Sequence, residues 1–116
     1  MQRIGVISDT HGLLRPEAVA FLRGSDYIVH AGDIGDAAVL GELSALAPVT
    51  AVRGNNDNGQ WAQTIAETEV LKVGAVSIYV LHDLAQLDLD PAAAGYHVVV
   101  SGHSHKPSME RRDGVS

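Results

Sequence analysis

The sequence predicts an α/β fold that begins with a parallel β-sheet, and two observations support this prediction. The apolar run Ile4-Gly5-Val6-Ile7 shows no alternation with polar residues, which is typical of a strand buried on both faces. Two further strands are predicted over residues 26–30 and 49–53, with a helical segment before each of them. The order is therefore βαβαβ, which favours a parallel sheet.

The two helices of this first half have recognisable ends. Residues 16–24 are predicted to be helical because Pro16 suits a first helical position, Glu17 suits the positive end of the helix dipole, and Gly24 suits a C-terminal cap. Residues 36–46 carry apolar side chains at helical spacing, and Pro48 ends that segment.

The second half is richer in β-strand signals. Residues 65–73 and 75–81 are separated by Gly74, which predicts an antiparallel hairpin with its turn at residues 72–75. Residues 84–95 are ambiguous, although 90–95 resemble an N-capped helical turn. A buried strand is predicted over 97–101, and one more begins at 108–111.

Composition restricts the class of protein. With 116 residues, 46% of them apolar, we expect a single globular domain over residues 1–116. The absence of cysteine excludes disulfides and thiolate metal sites and fits a cytoplasmic location. We expect neither a membrane span nor a signal peptide. The net charge of −6, with no basic cluster larger than Arg111-Arg112, argues against binding to long nucleic acid.

Metal-capable side chains recur where the predicted strands end. They are Asp9, His11, Asp33, Asn55, His82, His103 and His105. Imidazole together with carboxylate suits Zn, Mn, Fe, Co or Ni better than Ca or Mg. Seven ligands are too many for one such ion and about right for two that share a bridging group.

Each of these residues also has an ordinary structural interpretation. Asp9 could cap the following helix, while Gly32-Asp33 and Gly54-Asn55 are good turn dipeptides. A single histidine at a strand end, such as His82, is more often structural than a ligand. The recurrence at successive strand ends is what favours a metal centre, and the residues alone leave both interpretations open.

Taken in order, these motifs resemble the signature of the calcineurin-like metallophosphoesterases, most closely their small bacterial and archaeal phosphodiesterase branch. The matching segments are Asp9-Thr10-His11, Gly32-Asp33, Gly54-Asn55-Asn56-Asp57, His82 and Gly102-His103-Ser104-His105. The resemblance implies an α/β fold in which two mixed sheets form a β-sandwich flanked by helices. Relatives continue through one or two more strands, so we expect the last C-terminal strands to be missing here.

The resemblance also implies a dinuclear centre. Two divalent transition-metal ions (Mn, Ni, Fe, Zn or Co) would be bound, and a hydroxide bridging them would attack phosphorus in line. One ion would be held by Asp9, His11, Asp33 and His105. The other would be held by Asp33, Asn55, His82 and His103, so that Asp33 bridges.

Four other residues near these ligands have predicted roles of their own. Larger members of the superfamily have a histidine where this chain has Asn56, so the catalytic residue at that place can donate hydrogen bonds but cannot act as a general acid. His30 is expected to lie beneath the site, and Asp57 is expected to tie its own loop together or support a ligand. Asp83 follows His82 where the family often has glycine. It could orient His82 or face water, and we expect it to face water.

The first hypothesis for function is a metal-dependent phosphodiesterase acting on a small phosphoester. The alternative is a metal-binding interaction scaffold of the same fold, as in the retromer subunit that resembles this family. A nucleotide-binding α/β domain is disfavoured because no Gly-rich phosphate loop follows the first strand. An unfinished sheet edge would make a homo-oligomer possible.

Overall fold

The computed structural model describes residues 3–55, 57–83, 85, 87, 90 and 93–102, and the backbone of a strand at 108–110. Its elements are, in order, β1 (Ile4–Ile7), α1 (Pro16–Leu22), β2 (Tyr27–His30), α2 (Ala37–Ser44), β3 (Val49–Ala51), a 3-10 turn (Trp61–Thr64), β4 (Thr68–Val73), β5 (Val76–Leu81), β6 (Val98–Ser101) and β7 (Ser108–Glu110).

The first sheet has the order β1-β2-β3 and is parallel throughout. The predicted βαβαβ order is therefore confirmed. Both helices are shorter than predicted. The second begins where Asp36 caps it, with the side chain accepting a hydrogen bond from the Ala38 amide at 2.9 Å.

The second sheet has the order β4-β5-β6-β7 and is mixed. β4 and β5 form the predicted antiparallel hairpin, in which Val73 pairs with Val76. Gly74 occupies the turn with a φ of 58°, a conformation that glycine adopts without steric cost. β6 pairs parallel to β5 and antiparallel to β7.

The two sheets pack face to face around an aliphatic core. Val29, Ala31 and Val52 come from the first sheet and its loops, and they pack against Val80 and Val100 of the second. The other face of the first sheet is covered by α1 and α2 through a second buried cluster that includes Leu22, Ile28 and Leu43. The expected sandwich flanked by helices is confirmed, but of the two described sheets only the second is mixed, because β1, β2 and β3 all run parallel.

The sandwich brings the ends of strands from both sheets to one edge. The amide of Gly102, just after β6, donates to the carbonyl of His82, just after β5, at 2.9 Å. Gly102 also lies against the Ser8 side chain at the end of β1. Among the described helices, none combines the length and apolar character needed to span a membrane.

Candidate metal centre

The loops that follow β1 and β2 run side by side beyond the strands. The Asp9 amide donates to the Gly32 carbonyl at 2.9 Å, and the His11 amide donates to the Asp33 carbonyl at 3.0 Å. These bonds continue the parallel pairing past the end of the sheet. They place the first two carboxylates of the predicted site next to each other.

Three of the predicted ligands have a left-handed backbone. The φ angles are 56° at Asp9, 50° at His11 and 56° at Asp33, and no other non-glycine residue in the described part of the chain has a positive φ. Such a conformation costs on the order of 1–3 kcal/mol per residue and persists only where the surroundings hold it. Strain of this kind concentrates at functional sites, and here it coincides with the predicted metal-binding loops.

Asp9, Asp33 and His82 form a compact buried group. One ligand atom from each of them lies within 4.8 Å of the other two. The side chains of Asp33 and His82 are only 5% and 4% exposed, and that of Asp9 is 3% exposed. Two buried carboxylates so close together repel each other, and a cation between them would relieve that repulsion.

His82 has the tautomer that a metal ligand requires. Its Nδ1 lies 2.7 Å from the Ala31 carbonyl oxygen, which can only accept, so Nδ1 carries the proton and donates. In the neutral imidazole, Nε2 then holds the lone pair, and it lies 3.3 Å from Asp33 Oδ2. A histidine ligand is commonly oriented in this way, by donating its other N–H to a backbone carbonyl.

Asp9 presents an unsatisfied oxygen to the same space. Its Oδ2 accepts a hydrogen bond from the Ser8 hydroxyl at 2.6 Å. Its Oδ1 is buried and receives no hydrogen bond from the residues that the structure describes, and His11 Nε2 is 3.9 Å away. A buried acceptor without a donor is costly, and a divalent ion is a suitable partner for it. The residues present therefore fit a metal ion.

The Asp57 carboxylate bonds to both the loop that contains Asp33 and the loop that contains Gly54. Its Oδ2 accepts from the amides of Ile34 at 3.1 Å and Gly54 at 2.9 Å, while Oδ1 accepts from Gly35 at 2.9 Å. Asp57 is buried, with 6% of its surface exposed. Its carboxylate thus joins the Asp33 loop to the Gly54 loop.

Two glycines allow these loops to approach. A Cβ on Gly54 would collide with the backbone nitrogen and the carboxylate of Asp33. A Cβ on Gly32 would lie 2.6 Å from His82 Nδ1. The glycines of the Gly-Asp and Gly-Asn motifs are therefore needed for close packing around the carboxylate, in addition to any role in a turn.

His30 lies beneath the site and orders the loop after β1. Its Nδ1 accepts from the Gly32 amide at 3.1 Å, so Nε2 carries the proton and donates to Thr10 Oγ1 at 3.0 Å. The Thr10 hydroxyl in turn donates to the Ile34 carbonyl at 2.8 Å. Burial lowers the pKa of His30 from 6.5 to about 4, although the charges of Asp57 and Asp9 act in the opposite direction. The imidazole is neutral at pH 7.

This lowered pKa predicts a pH-dependent stability. Because the folded pKa lies below the unfolded value, the contribution of His30 is complete above pH 6.5 and is lost as the pH falls towards 4. Between pH 7 and pH 4, the metal-free protein should lose about 3 kcal/mol more unfolding free energy than a His30→Gln variant. Urea denaturation across this range measures the difference, and identical pH profiles would contradict the prediction.

The remaining predicted site residues differ in their exposure and in whether the structure describes them. The His11 side chain is 44% exposed and lies at the rim next to Asp9. Asn55 is exposed and lines the same cavity as His82. Asn56, His103 and His105 lie outside the described residues. Asp83 Oδ1 accepts from the Ala85 amide at 3.0 Å.

The roles of Ser8 and Thr10 were not predicted from the sequence. Both flank Asp9. The Ser8 hydroxyl donates to the Asp9 carboxylate, and the Thr10 hydroxyl fixes the loop by bonding His30 and the Ile34 carbonyl. Their position on either side of a predicted ligand was the only available signal. Arg53 was also not predicted to belong to the site, although it lines a cavity that reaches His82.

Comparison with known families agrees with these features. Residues 2–116 match the model of the calcineurin-like phosphoesterase superfamily domain. The chain belongs to this superfamily. The resemblance of its ordered motifs to that family is thereby confirmed.

Individual relatives support the same assignment. The chain is 41% identical to a probable metallophosphoesterase of Methanothermobacter thermautotrophicus, over 97% of this chain and 72% of that protein. It is 28% identical to a phosphodiesterase of Methanocaldococcus jannaschii, over 97% of this chain and 79% of that protein. The structure of Vacuolar Protein Sorting 29 from Cryptosporidium parvum has the same fold, with a TM-score of 0.78, 18% identity, and coverage of 98% of this chain and 70% of that one.

Proposed function

We propose that this chain is a metal-dependent phosphodiesterase that hydrolyses a small phosphoester at a dinuclear transition-metal centre. The observation that carries the proposal is the buried group of Asp9, Asp33 and His82, whose ligand atoms lie within 4.8 Å of one another. The unsatisfied Asp9 Oδ1 and the inward lone pair of His82 Nε2 both favour a cation there. Membership of the phosphoesterase superfamily supports hydrolysis as the reaction.

The ligands can be assigned to two positions that share one carboxylate. In the proposal, Asp33 bridges, with Asp9 and His11 on one side and His82 and Asn55 on the other. His105 and His103 complete the first and the second position, respectively. This donor set suits Mn, Fe, Co, Ni or Zn.

The chain's own residues contribute orientation and hydrogen bonding to the proposed reaction. When bound, two divalent ions supply Lewis acidity and lower the pKa of water. The oxygen of water forms a bond to phosphorus and gives up a proton to solvent, while the bond from phosphorus to the ester oxygen breaks and the departing oxygen takes a proton from solvent. Asn56 can donate hydrogen bonds to the phosphoryl group but cannot provide this proton. We therefore expect esters with good leaving groups to react fastest.

The alternative function is an interaction scaffold with little or no catalysis. The structural likeness to Vacuolar Protein Sorting 29 concerns the fold alone, because the two chains are only 18% identical. The buried carboxylates and the oriented histidine favour the enzyme, since a scaffold has no need of a buried carboxylate oxygen in a strained loop that receives no hydrogen bond from the described residues.

Hydrolysis of bis(p-nitrophenyl) phosphate tests the proposal. Protein reconstituted with Mn²⁺ should release p-nitrophenol, EDTA should stop the release, and added Mn²⁺ should restore it. If protein that demonstrably binds metal releases no more p-nitrophenol than a variant without the bridging carboxylate, the phosphodiesterase is rejected in favour of the scaffold.

A further inference from the structure

The Ser8 hydroxyl makes the two oxygens of the Asp9 carboxylate different from each other. It donates to Asp9 Oδ2 at 2.6 Å, a length typical of a hydrogen bond from a hydroxyl group to an ionised carboxylate. The other oxygen, Oδ1, is buried and receives no hydrogen bond from the residues that the structure describes. One oxygen is therefore occupied by Ser8, while the other is available to an ion.

The backbone of Asp9 is held more firmly than its carboxylate. Its amide donates to the Gly32 carbonyl at 2.9 Å, which fixes the main chain in its left-handed conformation. The terminal torsion of an aspartate is soft by comparison, because its preferences are broad and roughly two-fold. Within the described part of the chain, Ser8 is the one side chain that donates a hydrogen bond to this carboxylate. The orientation of the carboxylate therefore depends on the Ser8 hydroxyl.

The Ser8 side chain is itself held in place by the end of β6. A Cβ added to Gly102 would lie 2.8 Å from Ser8 Cβ and 3.0 Å from Ser8 Oγ, so the glycine packs closely against this side chain. Gly102 is fixed in turn, because its amide donates to the His82 carbonyl at 2.9 Å. Ser8 therefore lies between Gly102 and the Asp9 carboxylate, and this packing limits the rotation of its hydroxyl group.

We propose that Ser8 is a positioning residue for the metal centre, which directs Asp9 Oδ1 towards an ion by occupying Oδ2. The inference rests on the proposed dinuclear centre and concerns the position formed by Asp9 and His11. The hydrogen bond of Ser8 goes to Asp9 and not to the bridging Asp33 or to His82, so the other position should depend on Ser8 much less. Loss of a group that orients a metal ligand typically lowers metal affinity by 10–100-fold.

Calorimetric titration of the metal-free protein with Mn²⁺ tests this inference. The wild-type protein should bind about two ions, as a two-metal site requires. Ser8→Ala should bind one of them about 10–100-fold more weakly and the other with an affinity within about threefold of the wild type. The electron paramagnetic resonance spectrum gives a second readout. At a Mn²⁺ concentration that fills both positions of the wild type, its spectrum should show a spin-coupled pair, whereas Ser8→Ala should show isolated Mn²⁺.

Two further variants separate orientation of the carboxylate from a general loss of packing. Ser8→Thr keeps the hydroxyl group and should restore most of the lost affinity. Ser44→Ala is the matched control, because it removes a hydroxyl group on α2 that donates to the Leu40 carbonyl at 2.8 Å, and it should leave both affinities unchanged. Circular dichroism in EDTA should show that all three variants are folded before metal is added.

The possible failures are distinct. If the wild-type protein binds two ions and Ser8→Ala binds both with unchanged affinity, the positioning role is overturned. Equal weakening of both positions, without rescue by Ser8→Thr, would also overturn it, because Ser8 would then act through the packing of the loop. A folded wild-type protein that binds no metal would instead refute the proposed dinuclear centre itself.

Discussion

Replacing Asp33 with asparagine is expected to lower kcat/KM for an activated phosphodiester by more than about 100-fold, since even the loss of a residue that only orients a metal ligand typically costs 10–100-fold. In the proposed site Asp33 contributes to both metal positions. Its Oδ2 lies 3.3 Å from His82 Nε2 in the buried group. Removing its charge therefore weakens both positions at once. Steady-state hydrolysis of bis(p-nitrophenyl) phosphate at a fixed Mn²⁺ concentration measures the effect.

Asparagine is the informative substitution because the backbone at this position is left-handed, with a φ of 56°. Asparagine adopts that conformation more readily than alanine does, so the loop should keep its shape. Asp83→Asn is the matched control, since it removes the next carboxylate along the chain after His82, one that accepts a bond from the Ala85 amide. Similar losses of activity in the two variants would contradict the bridging role of Asp33.

Replacing Asp57 with alanine is expected to destabilise the metal-free protein by about 3 kcal/mol or more, because three amide donors lose their acceptor and each unsatisfied buried group costs roughly 1–3 kcal/mol. The three donors belong to Ile34, Gly35 and Gly54, and Asp57 is 6% exposed. Urea denaturation in EDTA measures the unfolding free energy without any contribution from metal.

Asp36→Ala provides the comparison for Asp57. The Asp36 side chain accepts one exposed hydrogen bond, from the Ala38 amide at 2.9 Å, and the loss of such a cap costs about 1 kcal/mol. If both variants lost the same amount of stability, the carboxylate of Asp57 would not be the link between the Asp33 and Gly54 loops.

The sequence predicted the strands of the first half well, because their signal is local. The uninterrupted apolar run that ends at Ile7 marks a strand covered on both faces, and the structure shows β1 over Ile4–Ile7. The hairpin around Gly74 was predicted equally well, from its turn residue. The division of the strands into two sheets could not be predicted from the residues, because β5 and β6 pair across an intervening segment that carries no clear periodicity. Only the family resemblance implied the sandwich.

The candidate site was predictable in its charged residues but only in part in the residues that support them. Asp9 and Asp33 follow neighbouring parallel strands, which explains why they meet, and the packing of the second sheet on the first brings His82 to them. Asp57 was expected to tie its own loop together, and its bond from Gly54 does so. Its bonds from Ile34 and Gly35 join loops that are more than 20 residues apart, which no spacing in the sequence encodes. The same is true of the contact between His30 and Thr10, which links two neighbouring strand ends.

The metal content of the purified protein after reconstitution, measured by inductively coupled plasma mass spectrometry, tests the dinuclear centre most directly. The proposal predicts about two transition-metal ions per chain in the wild-type protein, as a two-metal site requires, and a marked loss in Asp33→Asn. A folded wild-type protein that retains no transition metal would contradict the proposal, and one that binds the same amount of metal as Asp33→Asn would contradict the role of Asp33.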